Sequence, residues 1–228
     1  MTGNQLAKYR KQSKQTQERA ARALGVSQTY LSLLENGKRP VTERLKKRAV
    51  KVFGLPPTKV PARSERSQVQ PVSDDRLAAD LSALGYMGFS HLRPSRRRNP
   101  ADVLLSALNS PKRDARLVEA LPWVVLAYPD MEWNSLVKTA KAYDLQNRLG
   151  FVTNVARRLA ELRGDRETAA KLKSRERDLE RSLLAREDTM CNETMTNAER
   201  KWLNTNRSEA AKHWRVLTSL TPKLVRYA

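Results

Sequence analysis

Apolar residues recur at helical spacing along most of the chain. They fall three or four positions apart, as expected when one face of an α-helix is buried. The strict alternation that is typical of half-buried strands is rare, and glycine is scarce, with 8 residues in 228. The pattern therefore predicts an all-α protein.

The helical pattern is interrupted between residues 54 and 75. This stretch contains four of the 11 prolines, together with serine, arginine and glutamine. Because proline lacks a backbone donor and disfavours helical geometry at the residue before it, such a stretch is typical of a linker. We predict an N-terminal domain over 1–55, a linker over 56–75 and a helical domain over 76–228.

Capping residues mark helix starts beyond the predicted linker. Asn99-Pro100 and Ser110-Pro111 each place a capping side chain before a proline at the first helical position. Apolar spacing predicts two further helices, over residues 130–144 and 145–162.

The last third of the chain has a different pattern. Residues 165–188 are dense in alternating charge around a thin stripe of leucines, which is typical of an exposed helix or of a short coiled-coil arm. Thr196 and Glu199 have the spacing of a capping box. They predict one final helix that continues through Leu217.

The stretch from Thr16 to Gly37 has the pattern of two short helices joined by a tight turn. Thr16 and Ser27 are placed to cap the two helices, and Gly25 between them supplies the positive φ that the turn requires. Two short helices joined in this way form a helix-turn-helix.

The second of these two helices has an apolar face and a polar face. Leu31 and Leu34 are predicted to face inward, which leaves Gln28, Thr29 and Ser32 on the outer face. Short, uncharged hydrogen-bonding side chains of this kind suit base edges in the major groove of DNA.

The charge distribution also indicates that the N-terminal segment binds a polyanion. The chain has 44 basic and 24 acidic residues, a formal charge of +20 and an isoelectric point of about 10.5. Residues 1–60 hold 14 of the basic residues and only 3 of the acidic ones. Because Lys and Arg release counterions when they bind phosphates, this excess favours a nucleic-acid partner. The total charge alone would also fit an anionic membrane surface or an acidic protein.

The motif residues resemble the Cro/C1-repressor family of bacterial helix-turn-helix regulators, often called the XRE family. The resemblance covers about residues 3–55 and rests on Thr-Gln-Glu at 16–18, Leu-Gly-Val-Ser-Gln at 24–28, Tyr-Leu-Ser at 30–32 and Glu-Asn-Gly-Lys-Arg-Pro at 35–40. It implies a lambda-repressor-like domain with helices near 3–13, 16–24, 27–36 and 42–52.

The resemblance also implies which residues meet DNA. Glu35 is not among them, because phosphate repels a carboxylate, and we expect it to bond within the domain. The residues implied to contact DNA are Gln17 and Asn36 at phosphates, Ser27, Gln28, Thr29 and Ser32 in the major groove, and Lys38 and Arg39 at the flanking backbone.

A fainter resemblance concerns the predicted second domain. Leu121–Trp123, Tyr128–Asp130 and Asp144–Phe151 are similar to segments of regulators that accompany nucleotidyltransferase toxins of the abortive-infection type. It implies an antitoxin that neutralises a cognate toxin through its C-terminal domain and represses its own operon. A groove for a partner is the alternative to a plain helical core, in which we expect Trp123 and Trp133.

The remaining reactive or charged residues indicate neither an enzyme nor a metal protein. Cys191 is the only cysteine, the two histidines are far apart, and no glycine-rich phosphate loop or hydrolase motif is present. Arg96–Arg98 fits either a solvated loop or a contact to flanking DNA phosphates or to an acidic partner. The longest apolar run is interrupted by Pro122 and is too short to span a membrane.

Together these observations predict a cytoplasmic, homodimeric repressor that binds double-stranded operator DNA without a cofactor, a metal or a catalytic residue. The first 14 residues have no apolar core, so no secretory signal is expected. The antitoxin remains the alternative. RNA binding is disfavoured, because the basic segment lacks the aromatic residues that stack on single-stranded bases.

Overall fold

The computed structural model describes residues 1–60, 62, 69–94 and 96–225. Over these residues the chain forms twelve α-helices and one pair of two-residue strands, which confirms the all-α prediction. It divides into two compact units, Met1–Ala62 and Arg63–Ala228.

The first unit contains four α-helices and a 3-10 turn at Pro57–Lys59. A Thr or Ser side chain caps each helix by accepting a backbone N–H of its first turn. The helices agree with those implied by the resemblance to within one residue at each end. They are α1 (Gly3–Gln12), α2 (Gln17–Leu24), α3 (Gln28–Glu35) and α4 (Glu43–Val52).

The core of the first unit is small and apolar. Two alanines on α2 let this helix approach its neighbours closely, and leucines from α1, α2 and α3 fill the space between the helices. The buried residues are Leu6, Ala20, Ala21, Leu24, Leu31, Leu34, Val41, Leu45, Ala49, Val50, Phe53 and Leu55.

The second unit surrounds one central helix, of which 13 of 17 residues are buried. Neighbouring helices and both strands pack around it. The elements are α5 (Asp74–Leu84), α6 (Pro100–Leu108), α7 (Ala115–Ala127), α8 (Trp133–Ala142), the central α9 (Gln146–Leu162), α10 (Arg166–Glu180), β1 (Asp188–Thr189), α11 (Asn197–Asn206), α12 (Glu209–His213) and β2 (Val216–Leu217).

The two short strands are parallel, with Asp188 opposite Val216 and Thr189 opposite Leu217. The Asp188 N–H donates to the Arg215 carbonyl at 2.9 Å, and the Met190 N–H donates to that of Leu217 at 3.3 Å. This pair joins the segment after α10 to the end of the unit.

Two predicted helix starts in the second unit are wrong. No helix begins at Pro111, because the Ser110 hydroxyl bonds the Lys112 carbonyl at 2.7 Å and the Pro111 carbonyl accepts the Glu193 N–H at 2.8 Å. Asp114 caps α7 instead. The helix expected over 130–144 begins only at Trp133, whose indole N–H donates to the Pro129 carbonyl at 2.7 Å.

Two further expectations are corrected by tertiary packing. The leucine stripe of 165–188 belongs neither to an exposed helix nor to a coiled-coil arm, because Leu172 and Leu179 of α10 are fully buried in the core that α9 shares. The single helix expected through Leu217 breaks at Arg207, which is extended and donates to Glu187 at 2.8 Å. Ser208 then caps a separate short helix.

The segment predicted to be a linker is described only in part, since residues 61 and 63–68 lie outside the described residues. Val69 is buried in the second unit. Its N–H donates to the Tyr143 hydroxyl at 3.0 Å, and its carbonyl accepts the Asn109 amide at 2.7 Å. Residues from Val69 onward therefore contribute to the packing of the second unit.

Candidate nucleic-acid interface

The turn between α2 and α3 requires a glycine. Gly25 is in the left-handed region, with φ of 64°, and its N–H bonds the last carbonyls of α2. The Arg48 guanidinium donates to the Leu24 carbonyl at 2.6 Å, and a Cβ on Gly25 would lie 2.4 Å from the same Nη1 atom. The positive φ therefore favours glycine, which adopts this region without strain, whereas the Arg48 contact involves only the far end of an exposed side chain that can shift.

One face of α3 packs in the core, and the side chains at its N-terminal end are exposed to solvent. Leu31 and Leu34 are fully buried, whereas Ser27, Gln28 and Thr29 are exposed. The structure therefore places these three predicted DNA-contacting residues side by side at the N-terminal end of the helix. This end of a helix favours anionic groups because its backbone N–H groups are unpaired.

The two serines of this face already have hydrogen bonds. The Ser27 hydroxyl accepts the Tyr30 N–H at 3.1 Å as the helix cap, and the half-buried Ser32 hydroxyl accepts the Asn36 amide at 3.3 Å. Each hydroxyl keeps its own proton for donation to another acceptor. Within the described part of the chain, the side chains of Gln28 and Thr29 have no hydrogen-bond partner to give up.

Glu35 forms the main polar contact inside the first unit. Its carboxylate accepts the Arg10 guanidinium through two bonds of 2.7 and 3.0 Å and the Gln17 amide at 2.8 Å. Burial opposes ionisation, but the hydrogen bonds from Arg10 and Gln17 outweigh it and hold the pKa of Glu35 below its ordinary value. The expectation that Glu35 bonds within the domain is confirmed.

This contact also constrains Gln17, which sequence analysis assigned to DNA phosphate. One amide hydrogen of the half-buried Gln17 is directed to Glu35. The amide has a second hydrogen. The phosphate contact of Gln17 stays a prediction, and only this second N–H is available for it.

Asn36, Lys38 and Arg39 are all exposed just after α3. The backbone N–H groups of Lys38 and Arg39 both donate to the Leu33 carbonyl, at 2.9 and 3.3 Å. This tight turn holds the two cationic side chains beside the end of the helix. Their predicted phosphate contacts therefore lie at the C-terminal end of α3, at the other end of the helix from its exposed first turn.

The acidic residues of the first unit are all paired. Glu18 accepts Arg22 at 2.9 Å, Glu43 accepts Lys46 at 2.5 Å, and Glu35 is bound to Arg10. Since residues 1–60 hold 14 basic side chains, most of them face solvent without a neutralising carboxylate. The unit consequently presents a positive field that attracts polyanions.

The arginine run in the second unit divides into two kinds of residue. Arg98 donates to the fully buried carboxylate of Asp80 at 2.6 Å and to the Ser106 hydroxyl at 3.0 Å. It is an internal ion-pair residue, so both earlier interpretations of the run are wrong for Arg98. Arg96 and Arg97 are exposed.

The segment at 144–151 has structural contacts that sequence analysis did not identify. The Asn147 amide donates to the Leu184 carbonyl at 3.2 Å and accepts the Leu184 N–H at 2.9 Å. Arg148 binds Asp188 through two bonds of 2.7 and 2.9 Å. Both side chains are buried and connect α9 to the chain between α10 and α11.

Trp123, Trp133 and Cys191 pack in or against the core of the second unit, whereas Trp202 is 59% exposed. Trp133 is buried, as predicted, and Trp123 packs at the edge of the core, with ring centres 5.2 Å from Tyr86 and 6.2 Å from Tyr128. Cys191 is fully buried. Burial raises the pKa of its thiol to about 11, so the thiol is protonated near neutral pH.

A cleft of about 390 Å³ opens in the second unit. Five of its seven charged lining residues pair with one another: Arg186 contacts Asp144 at 3.1 Å, and Arg148 contacts Asp188 and Glu193. Mutual pairing leaves little net charge to attract a ligand of either sign. None of the described helices is long and apolar enough to cross a membrane.

Comparison with known proteins agrees with the geometry of the first unit. The family model of a helix-turn-helix domain matches residues 3–62, which is the whole of the four-helix core. No curated protein and no solved structure matches the chain significantly. The match does not extend into the second unit.

Proposed function

We propose, from a first unit that is a helix-turn-helix DNA-binding domain, that this chain is a sequence-specific transcriptional repressor of the XRE type. The observation that supports the proposal best is the exposed, uncharged polar first turn of α3. Ser27, Gln28 and Thr29 stand opposite the buried Leu31 and Leu34, within a unit whose carboxylates are all paired.

The mechanism separates affinity from specificity. α3 enters the major groove, where Gln28 pairs with a base edge and Thr29 and Ser32 add shorter contacts. Lys38, Arg39 and Asn36 bind phosphates and orient the domain on the duplex. The bound protein then represses transcription by occupying promoter DNA.

A homodimer completes this proposal. Two copies of α3 related by a twofold axis and spaced about 34–36 Å apart read two half-sites in successive major-groove turns. The operator is then an inverted repeat. We assign this complex to the cytoplasm and propose that it uses neither a cofactor nor a metal and has no catalytic activity.

The antitoxin is the second candidate. Its support is the resemblance of residues 144–151 to toxin-associated regulators, together with the position of Asn147 and Arg148 in the centre of the second unit. Buried, hydrogen-bonded residues preserve a fold, so this resemblance supports a shared helical scaffold rather than a shared partner-binding surface. A cognate toxin bound to that scaffold would make repression autoregulatory.

One selection experiment tests the repressor. The full-length chain is used to select binding sites from duplexes with a random 20-bp segment, and the enriched sequences are footprinted. We expect a single inverted repeat with half-site centres about 10–10.5 bp apart. Recovery of unrelated sequences would overturn the proposal.

Coexpression tests the antitoxin. The chain is produced together with the product of the neighbouring gene, and the two are purified through a tag on one of them. A stable complex, and rescue of growth from that product, are expected of an antitoxin. If the two proteins elute separately and growth is not rescued, the antitoxin is excluded and only the repressor proposal remains.

A further inference from the structure

The carboxylates of α10 in the second unit are all directed to partners. Glu167 contacts Lys171 at 3.0 Å, and Glu180 contacts His213 at 3.0 Å. Glu176 is buried and binds Arg157 at 2.7 Å, while Asp178 is 3.7 Å from Arg181. Three of these four carboxylates are thus opposed by a Lys or Arg, and the partner of Glu180 is a histidine, which is charged only when it is protonated.

Three of the five basic residues of α10 are arranged differently. Arg166, Lys173 and Arg177 are exposed, as is Arg181, which caps the C-terminal end of the helix. At 100° per residue they project within a sector of about 80° on the side of the helix away from Leu172 and Leu179, and they extend along about 22 Å of its axis. We call these four residues the α10 cationic stripe.

Three members of the stripe have free charges. Among the residues that the structure describes, no carboxylate lies within ion-pair distance of Arg166, Lys173 or Arg177. Arg181 has only its long, exposed contact to Asp178. Unpaired like charges on one face repel one another, so an anionic partner that binds this face relieves the repulsion.

We propose that the α10 cationic stripe binds the phosphate backbone of double-stranded DNA flanking the site that the first unit reads. The inference rests on the proposed function. A duplex carries one negative charge for about every 1.7 Å of its axis, so a 22-Å segment offers about 13 phosphates to four cations. The contact adds affinity and footprint length without reading sequence.

The composition of the stripe favours a duplex over other polyanions. Protein interfaces are centred on aromatic or apolar anchors, and single-stranded nucleic acids stack on aromatic side chains. The stripe instead contains Ala170 between its cations, with Ser174 along one edge and Glu180, which is bonded to His213, along the other. Because the first unit is covalently joined to the second, bound DNA also brings its flanks to a high effective concentration.

The test compares two triple variants of the full-length chain that have the same net charge. The stripe variant carries Arg166→Gln, Lys173→Gln and Arg177→Gln. The matched control carries Arg116→Gln, Lys141→Gln and Lys201→Gln, three exposed cations on three other helices of the second unit. All six side chains are exposed, so thermal unfolding of both variants should match that of the unmodified chain.

The probes are a 20-bp duplex selected by the unmodified chain and the same duplex embedded in 60 bp. Binding is followed by fluorescence anisotropy over a range of KCl concentrations. We expect the stripe variant to lose about 10- to 100-fold in affinity for the 60-bp probe and about 2–3 units of salt slope, with little change on the 20-bp probe. The control variant should change by less than about threefold on both probes.

The other outcomes overturn the inference. Equal losses in the two variants would mean that only net charge matters, and equal losses on the two probes would mean that no flank is bound. A stripe variant that keeps its DNA affinity but loses binding to polyglutamate would assign the stripe to an acidic protein. If the unmodified chain selects no site at all, the proposed function itself fails, which is a distinct result.

Discussion

Gly150 in the middle of α9 lies directly against the buried indole of Trp214. A Cβ on Gly150 would be 2.0 Å from Cζ3 of that ring, and Trp214 is fully buried. Glycine inside a helix costs about 1 kcal/mol relative to alanine. At this position the missing side chain allows the largest fully buried residue of the unit to pack against its central helix.

Gly150→Ala should therefore destabilise the second unit despite its better helix propensity. Overpacking a filled core costs about 1–3 kcal/mol, which we expect as a lower urea midpoint of that unit's unfolding transition. Binding of the selected duplex by the first unit should persist. The double variant Gly150→Ala/Trp214→Leu should be more stable than the sum of the single effects predicts, and simple additivity would contradict the contact.

The carboxylate of Glu35 gives the first unit a pH-dependent stability. Its pKa is below the ordinary value in the folded state, so its contribution is present above the ordinary pKa and is lost as the pH falls through the lowered one. The melting temperature of the first unit should fall on acidification below about pH 4.5.

Glu35→Gln should remove most of this dependence and cost about 3 kcal/mol at neutral pH, because Arg10 loses its charged partner. Glu43→Gln is the control, since the Glu43 side chain is 60% exposed in its pair with Lys46; it should cost less than about 1 kcal/mol. The same acid sensitivity in both variants would exclude Glu35 as the cause.

Gln28 is expected to determine sequence preference. Gln28→Ala should weaken binding to the selected duplex by about 1–3 kcal/mol while leaving binding to random duplex unchanged. Competition titrations against the two duplexes measure both effects. Equal losses of affinity for selected and random DNA would show that Gln28 does not contribute to sequence recognition.

Lys38 is expected to act on phosphate. Lys38→Gln should weaken binding to selected and random duplexes alike and should lower the salt slope by about one unit. Arg39→Gln should behave in the same way. Lys59→Gln, an exposed cation beyond α4, is the matched control, and an identical change in its slope would show that the effect comes from net charge alone.

The arginine run should separate into structural and surface residues. Arg98→Gln removes the shorter of the two arginine contacts of the fully buried Asp80 carboxylate and leaves the 3.3 Å ion pair with Arg76, so we expect a loss of about 1–3 kcal/mol in the stability of the second unit. Arg97→Gln should be within about 0.5 kcal/mol of the unmodified chain. Denaturant unfolding monitored in the second unit distinguishes these outcomes.

Local signals determined α2 and α3, whereas α1 and α4 were implied by the resemblance to a known family. Each helix of the first unit starts after a Thr or Ser whose side chain bonds a backbone N–H three residues later, and Gly25 ends α2 through its own φ. Capping and turn geometry depend on residues a few positions apart, so they can be recognised without knowledge of the fold. The exposed face of α3 follows from the same spacing.

Contacts between distant residues decided the second unit. Arg98 pairs with Asp80 across 18 positions and Arg148 with Asp188 across 40. The break at Arg207 depends on Glu187, and the place of Gly150 depends on Trp214. Whether a charge is buried, or whether two groups approach closely, depends on a partner that is distant in the sequence, and local sequence patterns do not identify that partner. Sequence periodicity by itself thus determined that the second unit is helical. Only the tertiary structure decided where its helices begin and which arginines are internal. It also decided that α10 buries one face and presents unpaired cations on the opposite face.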